Sequence, residues 1–95
     1  MKLSWDPAKR DRTLAERGLD FAAAGEVCAG PKLEFPELRQ AYGEERIITV
    51  GFLAARMMIV VWTARDSGRQ VISMRKANER ERSKFSERLG DVGRA

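Results

Sequence analysis

Residues 46–75 read RIITVGFLAARMMIVVWTARDSGRQVISMR, and three runs rich in β-branched residues stand out: Arg46 to Leu53, Arg56 to Arg65 and Arg69 to Arg75. Such runs, broken by short turn signals, read as consecutive strands. Ala54-Ala55 and Asp66-Ser67-Gly68 are short enough to be hairpin turns, so the three strands are expected to pair antiparallel. Side chains alternate across a sheet, and symmetric hairpins would put Ile47, Met58, Val60, Trp62, Ile72 and Met74 on one face. The other face would carry Arg46, Thr63, Arg65 and Arg69 toward one end, with Ser73 and Arg75 further along. Ile48, Val50, Ile59 and Val61 would lie between them. An apolar middle ringed by arginines suits covering by a helix, a partner chain or stacked bases.

The flanking segments supply helices. Leu3 to Trp5 reads as a short first strand. Asp6-Pro7 is a helix start, because Asp6 can accept from the first free amides and Pro7 suits the first helical position. That helix should run to Arg17 and stop at Gly18, a left-handed cap. Asp20 starts a shorter helix with Ala24, Val27 and Cys28 on one face, ended by Gly30-Pro31. An extended piece follows at Lys32 to Phe35, then a polar loop through Tyr42-Gly43. Asn78, with Glu81 three residues on, forms a capping box for a last helix docked by Phe85 and Leu89. The expected fold is α+β: an antiparallel sheet of three to four strands, two N-terminal helices packed on one face, and a C-terminal helix.

The chain has 95 residues, enough for a single domain over 1–95. Its first residues reach a charge and a proline too soon for a secretory leader, and no apolar run approaches the roughly 20 residues that span a bilayer. A cytoplasmic protein without a membrane is therefore expected. One cysteine and no histidine argue against a disulfide and a zinc site, and no Asp/Glu cluster suggests magnesium, so no metal and no cofactor are expected. Charge is distributed unevenly. Residues 1–45 carry seven Lys/Arg against nine Asp/Glu, whereas residues 46–95 carry eleven against five. Thirteen of the eighteen basic residues are arginine, whose planar fork matches two phosphate oxygens and stacks on bases. An anionic partner, RNA above all, is the expectation.

Three places could carry chemistry. Tyr42-Gly43-Glu44-Glu45-Arg46 sets a tyrosine and carboxylates beside an arginine, material for a general base and a phosphate clamp; the bland reading is a charged turn. Thr63-Ala64-Arg65 closes the central strand, or is an ordinary basic strand end. Ile72-Ser73-Met74-Arg75-Lys76 delivers two cations beside a helix start, where free amides add to their charge. The run Glu79-Arg80-Glu81-Arg82 alternates in sign and reads mostly as a solvated face. Trp62, the Met57-Met58 pair and Cys28 read as packing.

In order and spacing these segments resemble the BrnT toxin family. The likeness begins with Trp5-Asp6-Pro7 and Lys9, then Arg17-Gly18-Leu19-Asp20-Phe21 with Ala24 and Val27. It continues through Gly43-Glu44-Glu45-Arg46, Thr63-Ala64-Arg65, Ile72-Ser73-Met74-Arg75-Lys76-Ala77 and Glu81-Arg82. The resemblance implies a RelE-like fold and the toxin of a type II toxin–antitoxin pair. It also implies a ribonuclease that blocks translation, and a heterocomplex with a DNA-binding BrnA-like antitoxin. Members commonly carry histidine at the positions held here by Arg17, Gln40 and Trp62, so proton transfer would fall to other groups. On this reading Arg65 and Arg75, with Arg46, clamp the scissile phosphate. Glu45 is the candidate base, Lys76 or Tyr42 the proton donor, and Arg69, Arg80 and Arg82 further RNA contacts. The rival is a non-catalytic RNA-binding or protein-interaction module of the same fold.

Overall fold

The structure is a computed structural model that describes residues 2–37, 45–66 and 68–89. The elements are β1 (Lys2–Trp5), α1 (Pro7–Arg17), a 3₁₀ turn (Phe21–Ala23), α2 (Ala24–Ala29), β2 (Leu33–Pro36), β3 (Ile47–Leu53), β4 (Arg56–Arg65), β5 (Gly68–Lys76) and α3 (Glu79–Leu89). The local signals act as their chemistry dictates. Asp6 accepts from the Ala8 amide and Gly18 closes α1 at φ 68°. Asp20 accepts from the Ala22 amide at 3.0 Å. Asn78 and Glu81 bond each other's backbone amides at 2.8 and 2.9 Å, a complete capping box. Ala54 and Ala55 both take the left-handed conformation, at φ 52° and 64°, the turn whose twist matches a tight hairpin.

The strands form one five-stranded sheet in the order β1-β5-β4-β3-β2. β2, β3, β4 and β5 pair antiparallel, but β1 pairs parallel to β5. The sheet is therefore mixed, and the expected purely antiparallel sheet of three to four strands is corrected. A return to the sheet edge after so long a connection is a non-local pairing that no local run of residues encodes.

Two cores cover the two faces. On one, Leu19, Phe21, Ala24 and Val27 pack against Met58, Val60, Val71 and Met74. Gly51 makes this approach possible: a Cβ there would lie 2.8 Å from the Val27 carbonyl oxygen. On the other, Phe85 and Leu89 of α3 pack on Val50, Met57, Ile59 and Ala77, with Phe35 stacked on Phe85 at 5.9 Å. The expected pair of N-terminal helices on one face is also corrected. α1 buries no residue. Its eleven residues hold one large apolar side chain, Leu14, which is 44% exposed. Polar contacts hold the helix instead: Arg10 makes a two-pronged bond to Asp20 at 2.7 and 2.8 Å, and Arg17 donates to the Met74 carbonyl at 3.0 Å.

The register brings a second correction. Trp62 pairs with Val71 and Val61 with Ser73, so Ile72 is an extra residue and β5 is bulged there. The bulge reverses the alternation along half the strand. Val71 takes the place expected for Ile72 on the α2 face, and Arg69 goes to that face as well. Arg75 stays on the α3 face.

Candidate functional site

The α3 face is only partly covered. Beyond the footprint of Phe85 and Leu89, an open concavity of about 360 Å³ has a floor of Ile48, Ile59, Val61 and Ile72. Its rim is Lys9, Glu37, Arg46, Ser73 and Arg75. The charges come from four segments: Lys9 from α1, Glu37 from just past β2, Arg46 from just before β3, and Arg75 from β5. Backbone bonds fix the middle two, because the Glu37 amide donates to the Arg46 carbonyl at 2.8 Å. Buried Thr63 donates to the neighbouring Glu45 carbonyl at 2.7 Å, which secures the chain as it enters β3.

Arg75 is held hard. Its Nη1 and Nη2 donate to the two carboxylate oxygens of Glu81, both at 2.7 Å. The same carboxylate accepts from the Asn78 amide, so the cap of α3 and the orientation of Arg75 are one assembly. Hydrogen bonds from Arg75 hold the Glu81 carboxyl down at about 2, against a desolvation penalty and with help from the Asn78 amide. Two of five guanidinium N–H groups are used, which leaves three to meet a ligand.

The residues singled out from the sequence divide among separate places. Arg46 and Arg75 share the concavity just described. Arg65 and Glu45 line another, with Ile47, Trp62, Thr63 and Ala64, and Arg65 donates to Gln70 at 2.8 Å. Lys76, next to Arg75 on the strand, is exposed and does not line the hollow of Arg75. It lines a third concavity with Arg56 and Arg82. Arg80 is exposed on α3. Tyr42 lies outside the described residues. The three-arginine clamp of Arg46, Arg65 and Arg75 is thus two arginines in one place and one elsewhere.

Arg69 has a different setting altogether. Its guanidinium lies 3.7 Å from the Trp62 ring centroid and donates to Glu34 at 2.7 Å. Trp62 Nε1 donates to Thr49, which donates on to Glu34 at 2.6 Å. Desolvation pushes the Glu34 carboxyl up, but the bonds from Thr49 and Arg69 outweigh it and the net direction is down. Arg69 also contacts Cys28 Sγ at 3.3 Å, a thiol that burial pushes up. Arg69 is half-buried and engaged by groups of the protein itself. The bulge at Ile72 is why simple alternation misplaced it.

Lys9, Glu37 and Ser73 are rim residues that sequence reasoning did not select for chemistry. Ser73 and Lys9 stand inside the quoted motifs. Glu37 carried no signal, because the register that pairs it with Arg46 spans the loop between β2 and β3. The positions of Arg17 and Trp62 do not line the concavity. Among the described residues, no three Asp, Glu or Cys side chains converge as metal ligands would, and no helix is long and apolar enough to cross a membrane.

A family model described as the ribonuclease toxin BrnT of type II toxin–antitoxin systems matches residues 5–81. No curated protein matches the chain. The family match spans most of the 95 residues and takes in Lys9, Glu37, Arg46, Ser73 and Arg75. The chain belongs to the BrnT family of type II toxin–antitoxin ribonuclease toxins.

Proposed function

We propose, from that membership and the geometry of the α3 face, that this protein is a metal-independent endoribonuclease. It cuts RNA, halts translation, and is silenced by a BrnA-like DNA-binding antitoxin in a toxin–antitoxin complex. The observation that carries the reading is the meeting of Arg46, just before β3, and Arg75, from β5, around one open concavity with a single carboxylate on its described rim.

Cleavage of RNA by its own 2′-hydroxyl needs a proton acceptor, a cation at the crowded phosphorane and a proton donor at the leaving 5′-oxygen. Arg46 and Arg75 supply fixed positive charge where it builds on the non-bridging oxygens. Glu37, across the rim, takes the 2′-hydroxyl proton in place of the expected Glu45, which lines another concavity. Lys9 donates to the leaving oxygen in place of Lys76, which does not line this hollow. The apolar floor gives a base a surface to rest on. Glu81 acts through Arg75 by holding it in place. None of these roles uses Arg17 or Trp62.

The test is product chemistry. Purified protein incubated with RNA in EDTA should leave a 2′,3′-cyclic phosphate and a 5′-hydroxyl. RNA that is retained but uncut in EDTA, and cut once magnesium is supplied, would sink the metal-independent mechanism.

A further inference from the structure

A second basic concavity lies at the other end of the α3 helix start. It encloses about 350 Å³ and is lined by Ala55, Arg56, Met57, Lys76, Ala77 and Arg82. Three cations converge there from three elements: Arg56 from the start of β4, Lys76 from the end of β5, and Arg82 from α3. Among the described residues no carboxylate pairs with any of them. This sets the site apart from Arg10, Arg69 and Arg75, each of which meets an acidic partner. Arg82 is oriented by its bond to the Ala77 carbonyl at 3.0 Å. The tight Ala54-Ala55 turn and the small side chains of Ala55 and Ala77 leave the mouth open.

Gathering three like charges is unfavourable unless an anion neutralises them. The site is a hollow and not an extended stripe, which fits a compact tetrahedral oxyanion better than a run of acidic side chains. Consecutive residues of β5 line the two concavities, Arg75 the first and Lys76 the second. The first turn of α3 stands between them, with Glu81 bonded toward one and Arg82 toward the other.

We infer that Arg56, Lys76 and Arg82 form a phosphate-binding subsite for the RNA backbone, a few nucleotides away from the phosphate held by Arg46 and Arg75. The subsite takes backbone phosphate of any sequence and contributes affinity and register, not chemistry. This rests on the ribonuclease reading, and its test separates the two. Arg56→Gln and the double variant Arg56→Gln/Arg82→Gln are compared with the unaltered protein on a dinucleotide and on a 12-nucleotide RNA. Binding of the same 12-mer in 2′-O-methyl form, which cannot be cut, is followed by fluorescence anisotropy over a range of salt. Arg56→Gln should weaken 12-mer binding about ten-fold, the scale of one charged hydrogen bond. The double variant should also lower the log–log salt slope by about 1.4, or about 0.7 for each single-strand phosphate that is no longer neutralised. The weakening should appear in KM for the 12-mer and be absent with the dinucleotide. Equal affinity and an equal salt slope in all three proteins would overturn the subsite, whatever the nuclease assay shows. So would intact RNA binding with weakened neutralisation by antitoxin, since the hollow would then serve a protein. If the unaltered protein cuts nothing, the anisotropy series still decides the subsite alone.

Discussion

The two faces of the sheet use arginine in opposite ways. On the α2 face, Arg69 is stacked on Trp62, bonded to Glu34 and in contact with Cys28, and its side chain is 17% exposed. On the α3 face, Arg75 is also paired to a carboxylate, yet its side chain is 42% exposed and borders an open hollow with Arg46. Both are arginines of the same strand bonded to a glutamate at the same distance. What separates them is what lies beyond the pair: a buried thiol and a half-buried indole in one case, an apolar floor open to solvent in the other. An ion pair therefore says little about function until its outer side is inspected.

The contrast can be broken experimentally. The largest effect expected is on the closed side: Phe21, 1% exposed, should cost about 3–5 kcal/mol of stability as Phe21→Ala, read by denaturant titration. Next is the open side, where Arg75→Ala or Arg46→Ala should lower kcat about 10²–10³-fold, roughly 2.7–4 kcal/mol of transition-state stabilisation, while loss of the Glu81 pair in Arg75→Ala should cost only about 1 kcal/mol of stability. Full cleavage by both variants would remove the clamp. Arg69→Ala should do the reverse. It takes one of two donors from Glu34 and the cation from the Trp62 ring and should cost about 1–3 kcal/mol of stability, while cleavage stays within a few-fold. If Arg69→Ala abolished cleavage in a folded protein, the division of labour between the faces would be wrong.

The smallest effect expected is from Glu81→Gln, about 1 kcal/mol at neutral pH from a partly exposed pair and a helix cap. Its pH dependence is more telling. The folded Glu81 carboxyl sits at about 2, below its ordinary value of 4.5. The stabilisation is therefore fully present above about 4.5 and is lost as pH falls toward 2. A difference in stability between the two proteins that shrinks across that window would support the coupling of cap and clamp; a constant difference would refute it.

Much of this architecture is legible in the residues. The hairpin of β3 and β4, the Asp6 and Asn78–Glu81 caps, the Gly18 stop and the docking of Phe85 and Leu89 follow from local chemistry. The expectation that α1 packs on the sheet failed, since PAKRDRTLAER offers too little apolar surface and polar contacts hold the helix instead. The parallel return of β1 and the bulge are not legible, because both depend on pairing between distant segments. The candidate site shares that limit. Arg46 and Arg75 announce themselves by composition, but Glu37 and Lys9 join them only through register and helix placement. Arg65, prominent as a motif, ends elsewhere because its strand outruns the hollow.

The unpaired residue at position 72 sets which side of the sheet the rest of β5 presents. Arg69 and Arg75 are an even number of residues apart, and an unbulged ribbon would send them to the same side. Deleting Ile72 would leave an odd separation, so a regular strand would keep Met74 beneath α2 and Arg75 on the α3 face, whereas pairing Ile72 into the ladder without shortening the strand would turn Met74 outward and swing Arg75 inward. Substitutions in this segment can be graded and small. Loss of the bulge at constant length acts all at once, exchanging inside for outside over the rest of the strand.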